Sequence, residues 1–96
     1  MNPEHDRIRE AVLETIRRMI QGGAGIEIDD ATNPMDDLGL DSEDGLDFAD
    51  IISSLLGVAI PASMNPFKDD VAQRPRTIAQ IVALLSKLPS KETTRA

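Results

Sequence analysis

The sequence predicts an all-α fold, a small four-helix bundle made of three main helices and a short third one. Apolar residues recur at helical spacing in three separate stretches, and start and stop signals bracket those stretches. Strand-like alternation is confined to Ile26 and Ile28, and one alternating pair cannot build a sheet. The 96 residues make a single domain on a prior of about 100–200 residues per domain. That domain is expected over residues 1–89, with 90–96 as a flexible polar tail.

The first helix is expected over residues 3–21. Asn2-Pro3 supplies an N-cap residue and a proline at the first helical position, and Ile8, Val12, Ile16 and Ile20 follow at helical spacing with Leu13 and Met19 beside them. Gln21-Gly22-Gly23 stops it. Residues 22–40 read as a long connection punctuated by Gly22, Gly23, Gly25, Asn33, Pro34 and Gly39, with Ile26 and Ile28 tucked onto the core. Loops of that length in small domains tend to be functional.

The second helix starts near Asp41-Ser42 and runs to Leu56, with Leu46, Phe48, Ala49, Ile51, Ile52, Leu55 and Leu56 as a broad apolar stripe. Glu43, Asp47, Asp50 and Ser54 share the opposite, solvated face. Gly45 lies inside this helix, where glycine costs about 1 kcal/mol against alanine. Gly57 ends the helix and Val58-Ala59-Ile60-Pro61 leads out in extended form. Asn65-Pro66 repeats the N-cap and proline signal, which predicts the short third helix over about 66–73. Thr77-Ile78-Ala79-Gln80 is a capping box. Ile78, Ile81, Val82, Leu85 and Leu88 form the buried stripe of the last helix, which Pro89 ends. The expected core comprises Phe48, Ile52, Leu56, Ile60, Ile78, Ile81, Val82 and Leu85.

Composition excludes several chemistries. The chain has no Cys, which removes disulfides, thiolate metal sites and thiol nucleophiles. It has no Trp or Tyr and two Phe, Phe48 and Phe67, so an aliphatic core is expected. Apolar runs of four to five residues fall far short of the ~20 that cross a bilayer. Met1-Asn2-Pro3-Glu4-His5-Asp6 resembles no signal peptide, and a cytoplasmic monomer is expected.

The net charge of −7 is localised. Asp36, Asp37, Asp41, Glu43, Asp44, Asp47 and Asp50 are seven acids in fifteen residues without a Lys or Arg, and the ten acids and ten bases elsewhere cancel. Such a surface repels phosphate backbones and anionic membranes, and its natural complement is a basic patch on another protein.

Ser42 stands where the long connection meets a helix start. Unsatisfied N–H groups and the positive end of the helix dipole converge there, and both favour a phosphate. The plainer reading makes Ser42 or Asp41 an ordinary N-cap, and the segment by itself leaves both open.

The wider pattern Asp37-Leu38-Gly39-Leu40-Asp41-Ser42, with acids at Asp44 and Asp47, resembles the Asp-Leu-Gly-x-Asp-Ser segment of acyl carrier proteins. Leu55-Leu56-Gly57-Val58-Ala59-Ile60-Pro61 is similar to that family's helix end and Ile-Pro exit, at a matching distance from the serine, and Thr77-Ile78 resembles the start of its last helix. Residues 5–88 can be laid on the family, with the specific part confined to 37–61. The resemblance implies an acyl-carrier-like bundle that is not itself an enzyme. In it, a transferase using coenzyme A would esterify Ser42 with 4′-phosphopantetheine, whose thiol would hold acyl groups as thioesters. It further implies that Asp41, Glu43, Asp44, Asp47 and Asp50 dock basic patches on the transferase and on acyl-processing enzymes, and that the aliphatic core can part to shelter an acyl chain. Glu43 stands where the family usually has a bulky apolar residue, Gly45 where it has a helix former, and the stretch from Pro61 to Thr77 is several residues longer. Those departures point to a specialised carrier in fatty-acid, lipid or polyketide-type biosynthesis.

Rival chemistries fit poorly. A calcium loop with Gly45 at its sixth position would begin at Leu40, and one with Gly39 there at Pro34, where an aspartate is needed. No metal site is expected. A serine hydrolase would need a base beside Ser42, and His5, the sole histidine, lies in the first helix. The alternative is an acyl-carrier-like interaction module with no prosthetic group, binding a basic partner through its acidic helix.

Overall fold

A computed structural model describes residues 3–20, 27–69 and 71–90. Helix α1 (Pro3–Met19) buries Ile8, Val12, Leu13 and Ile16 along one stripe. The expected cap at Asn2 and the expected stop at 21–23 fall outside the described residues. Helix α2 (Ser42–Leu56) buries Phe48, Ala49 and Ile52 and ends at Gly57, whose φ of 66° is the left-handed conformation that glycine tolerates. Helix α3 (Ile78–Lys87) starts with the predicted capping box, in which Thr77 and Gln80 each accept the other's backbone N–H, and closes at Leu88 before Pro89. Helix α1 packs against both α2 and α3.

The long connection is held by its own polar groups. Asn33 N–H donates to the Asp37 carboxylate at 2.7 Å, and the Asn33 side-chain oxygen accepts from Met35 and Asp36. Asp30 and Thr32 supply carbonyls to the amides of Ala79 and Ile78, so the loop satisfies the first donors of α3 that have no intrahelical partner. Arg9 on α1 reaches Asp30 at 2.7 Å. Ile28 enters the core as expected, and Ile26 lies outside the described residues.

The short third helix expected over 66–73 is not formed, and the described fold is three helices with a small antiparallel hairpin. Strand β1 (Lys68–Asp69) pairs with β2 (Arg74–Pro75), Lys68 opposite Pro75 and Asp69 opposite Arg74. Asn65-Pro66 does begin a turn, with Lys68 N–H on the Asn65 carbonyl at 3.1 Å. Helix propagation then loses its hydrogen-bond partners. The Phe67 carbonyl accepts from Arg76 N–H at 2.8 Å. The Arg76 guanidinium donates to the carbonyls of Asn65, Pro66 and Lys68, and the Asp69 carboxylate takes the amides of Val71 and Ala72. The groups a second helical turn would use are already occupied.

Phe67 enters the core from this segment and meets Phe48 of α2 with ring centroids 5.0 Å apart and planes tilted by 40°, an arrangement aromatic quadrupoles favour. The core is otherwise aliphatic, as expected, and the aromatic pair shares it with Ile16, Ile52, Ile78, Ile81 and Leu85 among others. Leu56 and Ile60, expected inside, are partly buried against that cluster. Beyond Gly57 the extended exit runs beside the end of α3: Val58 bridges Ser90, and Ala59 N–H donates to Pro89 at 2.9 Å. Ser90, assigned to the tail, is thus paired with the domain, and 91–96 lie outside the described residues.

Candidate functional site at the start of α2

Asp41, not Ser42, caps α2. The Asp41 carboxylate accepts the Asp44 N–H at 2.9 Å, the Asp44 carboxylate accepts the Asp41 N–H at 2.9 Å, and the Asp41 carbonyl accepts the Gly45 N–H at 3.1 Å. This is a capping box with aspartate at both corners. Ser42 is the first residue of the helix, is exposed, and its hydroxyl makes no hydrogen bond within the described residues. Of the two residues that the plainer reading offers as the cap, Asp41 takes the role and Ser42 does not.

Electrostatics around that hydroxyl differ from the expectation of a phosphate-binding helix start. The amides of Ser42 and Glu43 have no intrahelical acceptor. The carboxylates of Asp41, Glu43 and Asp44, however, already place negative charge at the dipole's positive end. Ser42 is exposed to solvent beside these three carboxylates.

The five acids expected to dock partners divide into two groups. Asp41 and Asp44 are engaged by the backbone, whereas Glu43, Asp47 and Asp50 are exposed and have no ion pair among the described residues. Asp37 is likewise committed to the connecting loop. Asp44, Asp47 and Asp50 line one shallow depression with Met19 and Ile51. The apolar stripe of α2 proves broader than the core: Leu46, Ile51 and Leu55 are 47%, 44% and 56% exposed. Leu46 faces a groove of about 290 Å³ shared with Ile60, Pro61 and Met64. Ile51 and Leu55 line another of about 360 Å³ against Ala11, Thr15 and Met19 of α1. The exposed face of α2 is thus an acidic ridge with apolar shoulders. His5 is exposed in the first turn of α1, and among the described residues no group of three or more His, Asp or Glu side chains is gathered to hold a metal ion.

Sequence reasoning missed Asn65. Its Nδ2 donates to the Ser42 carbonyl at 2.9 Å and its Oδ1 accepts the Phe67 N–H at 3.0 Å. The carboxamide lies against Gly45, where an added Cβ would stand 2.8 Å from Asn65 Cγ. A glycine inside a helix is the sequence mark of such a close approach, although it does not name what approaches.

No protein-family model matches this chain, and no curated protein or solved structure shows a significant similarity to it. Among the described residues no helix is long and apolar enough to cross a membrane.

Proposed function

We propose that this chain is an acyl carrier protein, specialised rather than generic, in which Ser42 bears 4′-phosphopantetheine. The observation that supports the reading most directly is the exposed Ser42 hydroxyl. It stands at the first position of α2, relieved of capping by Asp41 and Asp44. In the loading step Ser42 Oγ would form a bond to the pantetheine-bearing phosphorus as the pyrophosphate P–O bond of coenzyme A breaks, with adenosine 3′,5′-bisphosphate leaving and the hydroxyl proton passing to a base of the transferase. The attached arm supplies a terminal thiol that holds acyl groups as thioesters, a group this Cys-free chain otherwise lacks. Glu43, Asp47 and Asp50 attract basic surfaces of the transferase and of acyl-processing enzymes, while Leu46, Ile51 and Leu55 offer apolar contact beside them. Charge complementarity of this kind speeds encounter without demanding tight binding, which suits a shuttle.

The test is intact mass after incubation with coenzyme A and a broad-specificity phosphopantetheinyl transferase, with Ser42→Ala in parallel. A gain of one phosphopantetheine in the wild type and none in the variant is expected. No gain with several transferases, for the wild type and for Glu43→Leu alike, overturns the carrier reading and favours an unmodified binding module.

A further inference from the structure

We propose that Asn65 is the positioning residue for Ser42, fixing the serine backbone so that loading of the hydroxyl depends on the 61–76 segment. The proposal rests on the carrier reading for its functional part.

Both peptide groups that flank the Ser42 Cα are pinned. The one before it is held by the Gly45 N–H on the Asp41 carbonyl at 3.1 Å, a bond any helix start would make. The one after it belongs to the helix ladder of α2 and accepts in addition from Asn65 Nδ2 at 2.9 Å, a bond from 23 residues away. Rotation about the Ser42 Cα–Cβ bond is then the main freedom left to the hydroxyl.

Asn65 can perform this task because it is itself held. Its Oδ1 accepts from Phe67, which orients the amide so that Nδ2 must face Ser42. Its carbonyl accepts from Arg76 Nη1 at 3.1 Å and from Lys68 N–H at 3.1 Å, and the adjoining Pro66 and Phe67 are fully buried. A continuous path runs from the Phe48–Phe67 pair through Asn65 to Ser42. Gly45 leaves the space the carboxamide occupies. Two features of the sequence that seem unrelated, a helix-weakening glycine and a long segment after Pro61, thereby become one device.

The kinetics of transferase loading test the proposal in the full chain. Asn65→Ala is expected to lower kcat roughly ten- to a hundredfold, the scale of a small misplacement of a reacting group. KM should stay within about twofold, because Glu43, Asp47 and Asp50 are untouched. In the double variant Gly45→Ala with Asn65→Ala, the alanine methyl refills the space and restores the thermal midpoint without restoring kcat. Recovery of kcat together with stability would show a merely structural role and overturn the proposal, as would an unchanged kcat in Asn65→Ala. The carbonyl-carbon resonance of Ser42, which needs no transferase, should shift in both variants, and an unshifted resonance overturns the anchor. Failure of both the wild type and Glu43→Leu to load with several transferases, with the resonance shifted as expected, overturns the carrier reading and the kinetic half of the proposal while leaving the anchor established.

Discussion

The carboxamide of Asn65 occupies the volume in which a side chain at position 45 would begin. A Cβ on Gly45 would lie 2.8 Å from Asn65 Cγ and 2.9 Å from Asn65 Nδ2, closer than unbonded atoms tolerate. In an ordinary helix, Gly→Ala gains about 1 kcal/mol. Here Gly45→Ala is expected to lose about 1–3 kcal/mol through overpacking, and Asn65→Ala in the same chain should recover most of that loss. Chemical denaturation of the three variants measures both effects.

Capping by Asp41 separates two neighbouring residues that a local reading cannot distinguish. Asp41→Ala removes the acceptor for the Asp44 N–H and should cost about 1 kcal/mol. Ser42→Ala touches no hydrogen bond within the described residues and should stay within about 0.5 kcal/mol. The reverse ordering in a thermal or urea series would transfer the cap to Ser42 and weaken its candidacy as an attachment site.

Phe67 is fully buried against Phe48 although it lies in a segment with almost no regular structure. Phe67→Ala should destabilise the protein by about 3–5 kcal/mol, as much as a truncation inside a helix. A loss below about 1 kcal/mol would place the ring outside the core. Phe67→Leu, which keeps most of the volume, separates cavity formation from loss of the aromatic pair.

The hairpin carries an acid-sensitive lock. Hydrogen bonds from the Ala72 N–H, and secondarily from Val71, hold the Asp69 carboxyl below its ordinary 3.8, with Arg76 contributing and desolvation opposing. A carboxyl whose folded value is depressed stabilises the fold above its unfolded value, and that contribution is lost as pH falls through the folded value. The amide resonances of Val71 and Ala72 should therefore stay constant near neutrality and titrate together below pH ~4. Asp69→Asn, which keeps an acceptor without a charge, should abolish this titration while preserving the turn.

The exposed acids Asp47 and Asp50 predict a salt-sensitive encounter with basic partners. Reversing both to Lys should slow transferase loading of Ser42 several-fold at low ionic strength. The difference should shrink as salt brings the Debye length to about 10 Å at 0.1 M. An unchanged rate at low salt removes these acids from the docking surface.

The three main helices were legible because their signals are local. Asn2-Pro3 and the Ile8–Ile16 spacing announce α1, Thr77 and Gln80 cap α3, and Gly57 stops α2. The hairpin was not legible. Asn65-Pro66 carries a true turn signal, yet the helix is prevented by Arg76, ten residues further on, which claims the carbonyls of Asn65 and Pro66. The meeting of Phe48 with Phe67 and of Gly45 with Asn65 likewise joins residues about twenty apart, a separation that periodicity and capping rules do not span. Ser42 was picked out by its motif, but the structure was needed to show that Asp41 and Asp44 do the capping. The exposure of Ile51 and Leu55 escaped because a stripe of apolar residues states which face is hydrophobic and not how much of it a neighbour covers.

The lacing of Val58 to Ser90 gives the molecule two poles. The 15 residues of α2 span about 22 Å at 1.5 Å per residue, with Ser42 at one end and the Val58–Ser90 bridge just past the other. A fusion domain, an affinity handle or an immobilising surface joined through Ser90 is anchored at the pole remote from the hydroxyl. Attachment there leaves the Ser42 hydroxyl unobstructed, whereas a graft into the 61–76 segment, bonded to Ser42 through Asn65, would stand beside it.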